Sequence, residues 1–300
     1  MPGIHLMIFF ISHKGNYYSV MHYRKKSIFA EMFSSMEDYD SSLRTCVVIP
    51  MYQNILDEYE NLSLAQGLKI LSRYPVIVIK PESLDLSPIQ KLYPHVKLEN
   101  FADEYFTGLQ SYSRLMLSTA FYEKFLQYDY MLIYQLDAWV FRDELDFWCD
   151  KDYDYIGSPW VIKPKYNLLP LRIFIWLKSK YYKLIGKVFD HELRGGKVGN
   201  GGFSLRKIQS LYHATLKQRD KIDYYLERSK TNINFYEDTF WAVENPDFRY
   251  PSLKEALHFS FDNHPELCMK MTNGTLPFGC HGWSKRRNIN FWKKIISPSI

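Results

Sequence analysis

The stretch Thr45-Cys46-Val47-Val48-Ile49-Pro50 decides the fold, because a short β-branched run that ends at a proline predicts a buried strand. Residues 54–71 follow with apolar side chains at helical spacing, and Val76-Ile77-Val78-Ile79 is a second β-branched run. A strand, a helix and a strand in this order predict the βαβ unit of a parallel sheet. Residues 108–127 predict another helix and Tyr130–Tyr134 another buried strand, so we expect an α/β fold.

Two segments depart from this alternation. Residues 1–42 combine a short apolar run, a basic run and a Ser-rich acidic patch, and we interpret them as an N-terminal extension of a domain spanning residues 43–300. Residues 166–190 mix aromatic, apolar and basic side chains, and we interpret them as an insertion in that domain. The apolar run of residues 4–12 is far shorter than the roughly 20 residues of a spanning helix, so neither a signal peptide nor a transmembrane segment is predicted.

The composition is that of a globular protein, with 46% hydrophobic and 24% charged residues among 300, and it excludes extended disorder. Aromatic residues reach 17%, enough to offer rings for stacking on sugars or bases, or for a membrane interface. The net charge of +5 suits a phosphate-bearing ligand or an anionic membrane and is too small to indicate nucleic acid binding. The four cysteines form no CxxC pair, so we expect reduced thiols in a cytoplasmic protein, without a disulfide or a zinc site.

Two motifs indicate a phosphate or metal site. Gln135-Leu136-Asp137 directly follows a predicted strand, and ligands of open α/β sheets bind beyond the carboxyl ends of the strands. A carboxylate there holds a divalent cation that bridges two phosphates, or it only caps the next turn. His281, in Gly279-Cys280-His281-Gly282-Trp283, fits neither a helical nor a strand period. It predicts a metal ligand or a phosphate contact, unless it is an ordinary loop residue.

Two further motifs indicate a ligand-binding turn and a base. In Val198-Gly199-Asn200-Gly201-Gly202-Phe203, three glycines predict a turn before a helix-like stretch from Ser204, with positive φ angles and close approach of the backbone to a ligand. The alternative is a plain helix-capping turn. Glu237 and Asp238 are adjacent carboxylates in an aromatic setting, which suits a general base, although acidic residues also favour the first turn of any helix.

Taken in order, these motifs resemble those of GT-A-fold nucleotide-sugar glycosyltransferases, and most closely a bacterial glycosyltransferase-like family associated with surface-polysaccharide synthesis. The resemblance spans residues 43–283 and rests on Leu-Ile-Tyr-Gln-Leu-Asp-Ala (132–138), Asp-Tyr-Ile-Gly-Ser-Pro-Trp (154–160), Gly-Asn-Gly-Gly-Phe-Ser-Leu-Arg (199–206) and Glu237-Asp238. It implies a GT-A (Rossmann-like) fold, in which a mixed, mainly parallel central sheet is flanked by helices.

The resemblance also implies roles for individual residues. Asp137 matches the last Asp of the Asp-x-Asp motif that ligates Mn²⁺ or Mg²⁺, with Gln135 in place of the first, and His281 resembles the late histidine that completes the metal site. Asp238, or Glu237 in second place, matches the base that deprotonates the acceptor. The implied donor-site residues are Pro50, Tyr52, Gln135 and Asp137, and the implied acceptor-site residues are Asn200, Gly201, Gly202 and Trp283.

The implied reaction is the inverting transfer of a hexose from a nucleotide-sugar, with a UDP-sugar favoured, to a saccharide or lipid-linked acceptor. We expect a cytoplasmic enzyme of surface-polysaccharide synthesis in peripheral contact with the inner membrane face through residues 166–190. The alternative for this segment is a buried helical insertion or an active-site lid. Two other classes stay open. A nucleotidyltransferase is disfavoured because residues 50–54 lack the glycine and lysine of its basic loop, and a non-catalytic carbohydrate-binding protein is disfavoured because the candidate carboxylates and histidine are all present.

Overall fold

The computed structural model describes residues 44–296, so the N-terminal extension predicted for residues 1–42 lies outside the described residues. Its strands are β1 (Thr45–Pro50), β2 (Val76–Pro81), β3 (Lys97–Phe101), β4 (Tyr130–Tyr134), β5 (Trp139–Val140), β6 (Tyr155–Pro159), β7 (Val198–Lys207), β8 (Ser260–Phe261) and β9 (Gly279–Cys280). Its helices are α1 (Glu58–Ile70), α2 (Ser87–Leu92), α3 (Leu109–Met116), α4 (Thr119–Glu123), α5 (Leu145–Asp150), α6 (Leu169–Leu184), α7 (Asp190–Arg194), α8 (Ile208–Lys217), α9 (Arg219–Ser229), α10 (Glu237–Val243), α11 (Leu253–Phe259), α12 (Pro265–Met271) and α13 (Ile289–Ile296).

The main sheet has the strand order β3-β2-β1-β4-β7-β6. Strand β1 pairs in parallel with β2 and with β4, and β2 pairs in parallel with β3. Strand β7 is antiparallel to both of its neighbours, β4 and β6. The predicted α/β class, with a mixed and mainly parallel sheet, is therefore confirmed. A small second sheet, in the order β5-β9-β8, lies beyond the end of β4 in the chain.

Both faces of the main sheet are covered, as the unbroken apolar runs of its strands predict. Along β1, Val47 and Ile49 pack into one hydrophobic core with residues of α1, while Cys46 and Val48 pack into a second core on the opposite face. Strand β4 divides in the same way, because successive side chains of a strand point to opposite faces. The helices thus flank the sheet on both sides.

Three predicted elements differ in detail. The helix expected over residues 54–71 begins only at Glu58, where Asp57 and Glu60 form a capping box. The helix expected over residues 108–127 is two helices, α3 and α4, because the extended backbone of Ser118 starts a new helix and its hydroxyl accepts a hydrogen bond from Phe121 N–H. The turn and helix expected around Ser204 are wrong: residues 198–207 form strand β7, and α8 begins at Ile208.

Candidate functional site

A cavity of about 580 Å³ opens at the carboxyl ends of β1 and β4, where the sequence predicts a ligand. Pro50 and Tyr52 line it from the end of β1, and Gln135 and Asp137 line it from the end of β4. The structure thus brings all four predicted donor-site residues to one cavity, which we call the first cavity. Lys285 lines it as well, and Tyr52 is 61% exposed at this site.

Asp137 lies between two basic side chains. A hydrogen bond from Ala138 N–H to the carbonyl oxygen of Gln135 (2.8 Å) closes the tight turn that carries Asp137. One carboxylate oxygen is 3.1 Å from Nε2 of His281, and the other is 2.8 Å from Nζ of Lys285. Burial alone would raise the pKa of Asp137, but the charges of His281 and Lys285 outweigh it and lower that pKa below its ordinary value. Asp137 is therefore ionised at neutral pH.

His281 follows β9, and its ring joins three polar side chains. Nε2 lies 3.1 Å from Asp137 and 3.3 Å from Oε1 of Gln135, while Nδ1 lies 3.2 Å from Oδ1 of Asp262. The ring is 6% exposed, so His281 is a buried residue and not a loop histidine facing solvent. Burial lowers the pKa of His281, but the two carboxylates outweigh this and raise it to about 9. Its imidazole is thus a cation between two anions at neutral pH.

The amide oxygen of Gln135 and a carboxylate oxygen of Asp137 both lie within 3.3 Å of Nε2 of the His281 imidazole. Oxygen and imidazole donors of this kind suit Mn²⁺, and a small divalent ion takes its other ligands from phosphate or water. Among residues 44–296, however, no group of three or more His, Cys, Asp or Glu side chains has a metal-holding arrangement. The donor set therefore fits a metal only if Gln135 is a ligand.

A second cavity, of about 800 Å³, opens beside Asp262, the other carboxylate that His281 contacts. Asn200, Asp238 and Asp262 line it with Arg287. Asn200 Nδ2 donates to Asp262 (3.4 Å), and Asn200 Oδ1 accepts from the N–H of Gly202 (3.1 Å). Since His281 contacts Asp137 through Nε2 and Asp262 through Nδ1, a single imidazole joins the carboxylates of the two cavities.

The adjacent carboxylates Glu237 and Asp238, at the start of α10, have different surroundings. Both carboxylate oxygens of Glu237 accept hydrogen bonds from Arg206 Nη2 (3.2 and 3.1 Å), and Arg206 is fully buried. Asp238 lines the second cavity and accepts a hydrogen bond from Thr239 N–H (2.7 Å). Burial raises the pKa of Asp238, and the charge of Arg194 opposes the rise. Burial also raises the pKa of Glu237, to about 7, against the charge of Arg206.

The three glycines of β7 are needed for a reason that the sequence does not reveal. None of them has positive φ, contrary to the prediction. Instead, a Cβ atom on Gly202 would lie 2.2 Å from Nε2 of His281, and one on Gly201 would lie 2.2 Å from a carboxylate oxygen of Glu237. A Cβ atom on Gly199 would lie 2.3 Å from the ring of Trp160. The glycines therefore make room for side chains that reach this strand from other elements.

Trp283 has a different place from the one predicted for it. Its ring is 1% exposed, it packs edge-on against Tyr59 and Trp139, and its Nε1–H donates to the hydroxyl of Ser63 (2.7 Å). A ring enclosed in this way contacts no sugar, so its assignment to the acceptor site is wrong. Its backbone N–H donates to the carbonyl oxygen of Asp137 (3.0 Å), which holds the turn that carries Asp137 against the loop after β9.

Two residues of the site were not singled out from the sequence. Lys285 lies four residues after His281, and this short spacing to a candidate phosphate contact is a signal that could have found it. Asp262 directly follows β8, whose two residues are too few for a strand pattern, so no sequence signal places it at the site.

The chain was compared with known families and structures. The profile of the family described as "Protein of unknown function (DUF5672)" matches residues 95–281, well over half of the chain. The chain belongs to this family. The matched range contains Gln135, Asp137, Asp238, Asp262 and His281, so most of the site lies within it. No curated protein matches the sequence.

Solved structures with some similarity are glycosyltransferases at low sequence identity. A galactosyltransferase, LgtC, in complex with donor and acceptor sugar analogues, is 14% identical with a TM-score of 0.48, covering 84% of this chain and 95% of its own. Mouse xyloside xylosyltransferase 1 is 12% identical with a TM-score of 0.45, covering 79% and 97%. Core-mannan synthase A from Aspergillus fumigatus, in an Mn/GDP form, is 12% identical with a TM-score of 0.36, covering 65% and 66%.

Proposed function

We propose that the protein transfers a sugar from a nucleoside-diphosphate donor to a hydroxyl group of an acceptor. The observation that carries this proposal is the ring of His281, which contacts Asp137 of the first cavity and Asp262 of the second. A displacement between two substrates needs a site for the departing diphosphate next to a site with a base. The two cavities match that requirement, because a single imidazole joins a carboxylate of one cavity to a carboxylate of the other.

The donor is proposed to bind in the first cavity. Lys285 lines this cavity and offers positive charge there, and charge-assisted hydrogen bonds to phosphate oxygens are strong. As the bond to the sugar breaks, negative charge grows on the diphosphate, and fixed cations stabilise it. Tyr52, exposed beside the cavity, offers a ring on which a nucleobase such as uracil stacks.

A divalent cation, Mn²⁺ or Mg²⁺, would be held by Gln135, Asp137 and His281. When bound, such an ion neutralises the charge that develops on the diphosphate. Because a protonated imidazole cannot be a ligand, His281 would release its proton on binding, and metal affinity should rise with pH up to the raised pKa of His281.

The acceptor is proposed to bind in the second cavity, with its hydroxyl group at Asp238. Asp238 takes the proton while the acceptor oxygen forms a bond to the anomeric carbon. The bond from that carbon to the diphosphate oxygen breaks, and its electron pair leaves with the nucleoside diphosphate. A single base opposite the leaving group inverts the anomeric centre, so we propose an inverting transfer of a hexose, in surface-polysaccharide synthesis.

The test is turnover of sugar nucleotides. Purified protein is incubated with UDP-, GDP- and CMP-sugars, with and without Mn²⁺, and the released nucleotide is quantified. We expect slow release from one donor class without an acceptor, its loss in Asp137→Ala, and wild-type release in Asp220→Ala, the same change at an exposed position on α9. Absence of release from every donor, together with absence of nucleotide binding, would refute the proposal.

A further inference from the structure

Helix α6 presents a broad apolar surface that nothing covers among the described residues. Nine of the eighteen exposed large hydrophobic residues in this part of the chain lie on it or next to its ends. They are Leu168, Leu169, Ile173, Phe174, Trp176, Leu177, Tyr181, Leu184 and Ile185, each 41–84% exposed. No side chain of the sixteen-residue helix is fully buried. Large contiguous apolar surfaces of this kind mark interaction sites.

The helix has an inner and an outer face. Leu171, Ile175, Lys178 and Tyr182 are half-buried and recur at intervals of three or four residues, which places them on the side towards the protein. Leu169, Ile173, Leu177 and Tyr181 are exposed and recur every four residues, so they form a stripe on the side away from it. The outer face is therefore as apolar as a core-facing helix surface, although it faces solvent.

The charge within the segment that carries this stripe has one sign, and the nearest acidic partner is Glu192 of α7, which pairs with Lys183 (2.6 Å). Residues 155–189 contain no Asp or Glu, but they contain seven basic residues: Lys163, Lys165, Arg172, Lys178, Lys180, Lys183 and Lys187. At 100° per residue, Arg172 and Lys183 fall along one edge of the apolar stripe, and Lys180 falls just inside that edge. Apolar residues flanked by lysine and arginine are typical of helices that lie in the headgroup region of anionic membranes.

The inner face of the same helix reaches the second cavity. Lys178 and Tyr182 line that cavity together with Asp238. Whatever the outer face binds is therefore held beside the proposed base. None of the helices within residues 44–296 has the length and apolarity needed to cross a bilayer.

We propose that α6 docks the protein on an anionic lipid surface, with the helix axis in the plane of the membrane and Leu169, Ile173, Leu177 and Tyr181 inserted among the acyl chains. Arg172 and Lys180 then contact the anionic headgroups. The proposal that the protein docks on a membrane depends only on the exposed surface of α6. Its consequence, that a lipid-linked acceptor enters the second cavity from the membrane, rests on the proposed function.

The test is flotation of the full chain with phosphatidylcholine vesicles that do or do not contain phosphatidylglycerol. We expect co-flotation only with the anionic vesicles, and its loss at high salt. Arg172→Glu/Lys180→Glu should weaken binding at least about 30-fold, because each basic residue near the surface contributes about a fivefold factor and reversal adds repulsion. Ile173→Ser/Leu177→Ser should abolish it. Lys69→Glu/Lys91→Glu, the same change of charge at exposed positions of α1 and α2, should bind as the wild type does.

A second readout locates the contact. Of the seven tryptophans, Trp176 is 58% exposed and the other six are buried or half-buried. Anionic vesicles should therefore shift tryptophan emission to the blue, and Trp176→Phe should remove the shift without preventing flotation. Asp137→Ala should float like the wild type, which separates docking from the donor site. Equal binding to neutral vesicles, or equal loss in the Lys69/Lys91 control, would overturn the proposal. So would a dimer that Ile173→Ser/Leu177→Ser converts to a monomer without any vesicle binding.

Discussion

The buried ion pair beneath the site gives a prediction whose size follows from the structure. Arg206 and Glu237 are both buried, and Arg206 also hydrogen-bonds the hydroxyl groups of Tyr122 (3.0 Å) and Ser204 (3.1 Å). Replacing either charged residue alone with methionine leaves the other charge in the core without its partner. We expect each single variant to lose about 3–5 kcal/mol, a large part of the roughly 5–15 kcal/mol by which a domain is stable.

Replacing both charges together should cost much less. The Tyr122 hydroxyl also donates to the carbonyl oxygen of Met116 (2.9 Å), and the Ser204 hydroxyl donates to that of Gly201 (2.9 Å). Neither hydroxyl is therefore orphaned in Arg206→Met/Glu237→Met. We expect this double variant to be at least about 3 kcal/mol more stable than the sum of the two single losses predicts.

Urea unfolding followed by circular dichroism measures these differences, at pH 8, above the raised pKa of Glu237. The exposed pair Glu227 and Lys230 is the matched control, because exposed pairs contribute less than about 1 kcal/mol. Single losses below about 1 kcal/mol, or strictly additive losses, would show that the pair does not stabilise the site. Glu237 would then again be a candidate for the general base.

Three further predictions concern the site itself. Gly202→Ala should lower nucleotide affinity at least about tenfold and stability by about 1–3 kcal/mol, because its Cβ would lie 2.2 Å from His281. In the same urea titration, Gly108→Ala at the N-cap of α3, where a Cβ meets nothing within 4 Å, should cost only about 0.5 kcal/mol. Asp238→Asn should reduce kcat by about 10²–10⁴-fold with little change in nucleotide affinity. The wild-type rate should fall as the pH drops through the raised pKa of Asp238, since only the ionised carboxylate accepts a proton. A pH-independent rate would exclude Asp238 as the base. Lys285→Met should raise the dissociation constant of a nucleoside diphosphate about 10–100-fold in calorimetry but leave that of the nucleoside unchanged. An equal loss of affinity for the nucleoside diphosphate and the nucleoside would mean that Lys285 does not contact phosphate.

The sequence predicts the central part of the fold well. Residues 45–50, 76–79 and 130–134 are strands that are buried on both sides, and such strands are continuous apolar runs that the sequence displays directly. Since their order along the chain implies a parallel sheet, the edge that carries Asp137 follows as well. The predicted donor-site residues meet at one cavity for this reason.

The sequence fails where long-range packing decides. Three glycines in four positions normally indicate a turn, but in β7 they make room for His281, Glu237 and Trp160, which come from distant parts of the chain. The resemblance assigns Trp283 to the acceptor site, yet its ring is buried against Trp139 of the small sheet. The adjacent residues Glu237 and Asp238 cannot be told apart from sequence, because only the folded chain brings Arg206 to one of them.

The measurement that tests the central claim most directly is the melting temperature with UDP, GDP and CMP, each with and without Mn²⁺. A nucleotide at about 100 times its dissociation constant stabilises the folded chain by about 2.7 kcal/mol, which raises the melting temperature by about 2 °C or more. We predict such a rise with UDP, strongest with Mn²⁺, and its loss in Asp137→Ala. If none of the three nucleotides raises the melting temperature under either condition, the first cavity is not a donor site.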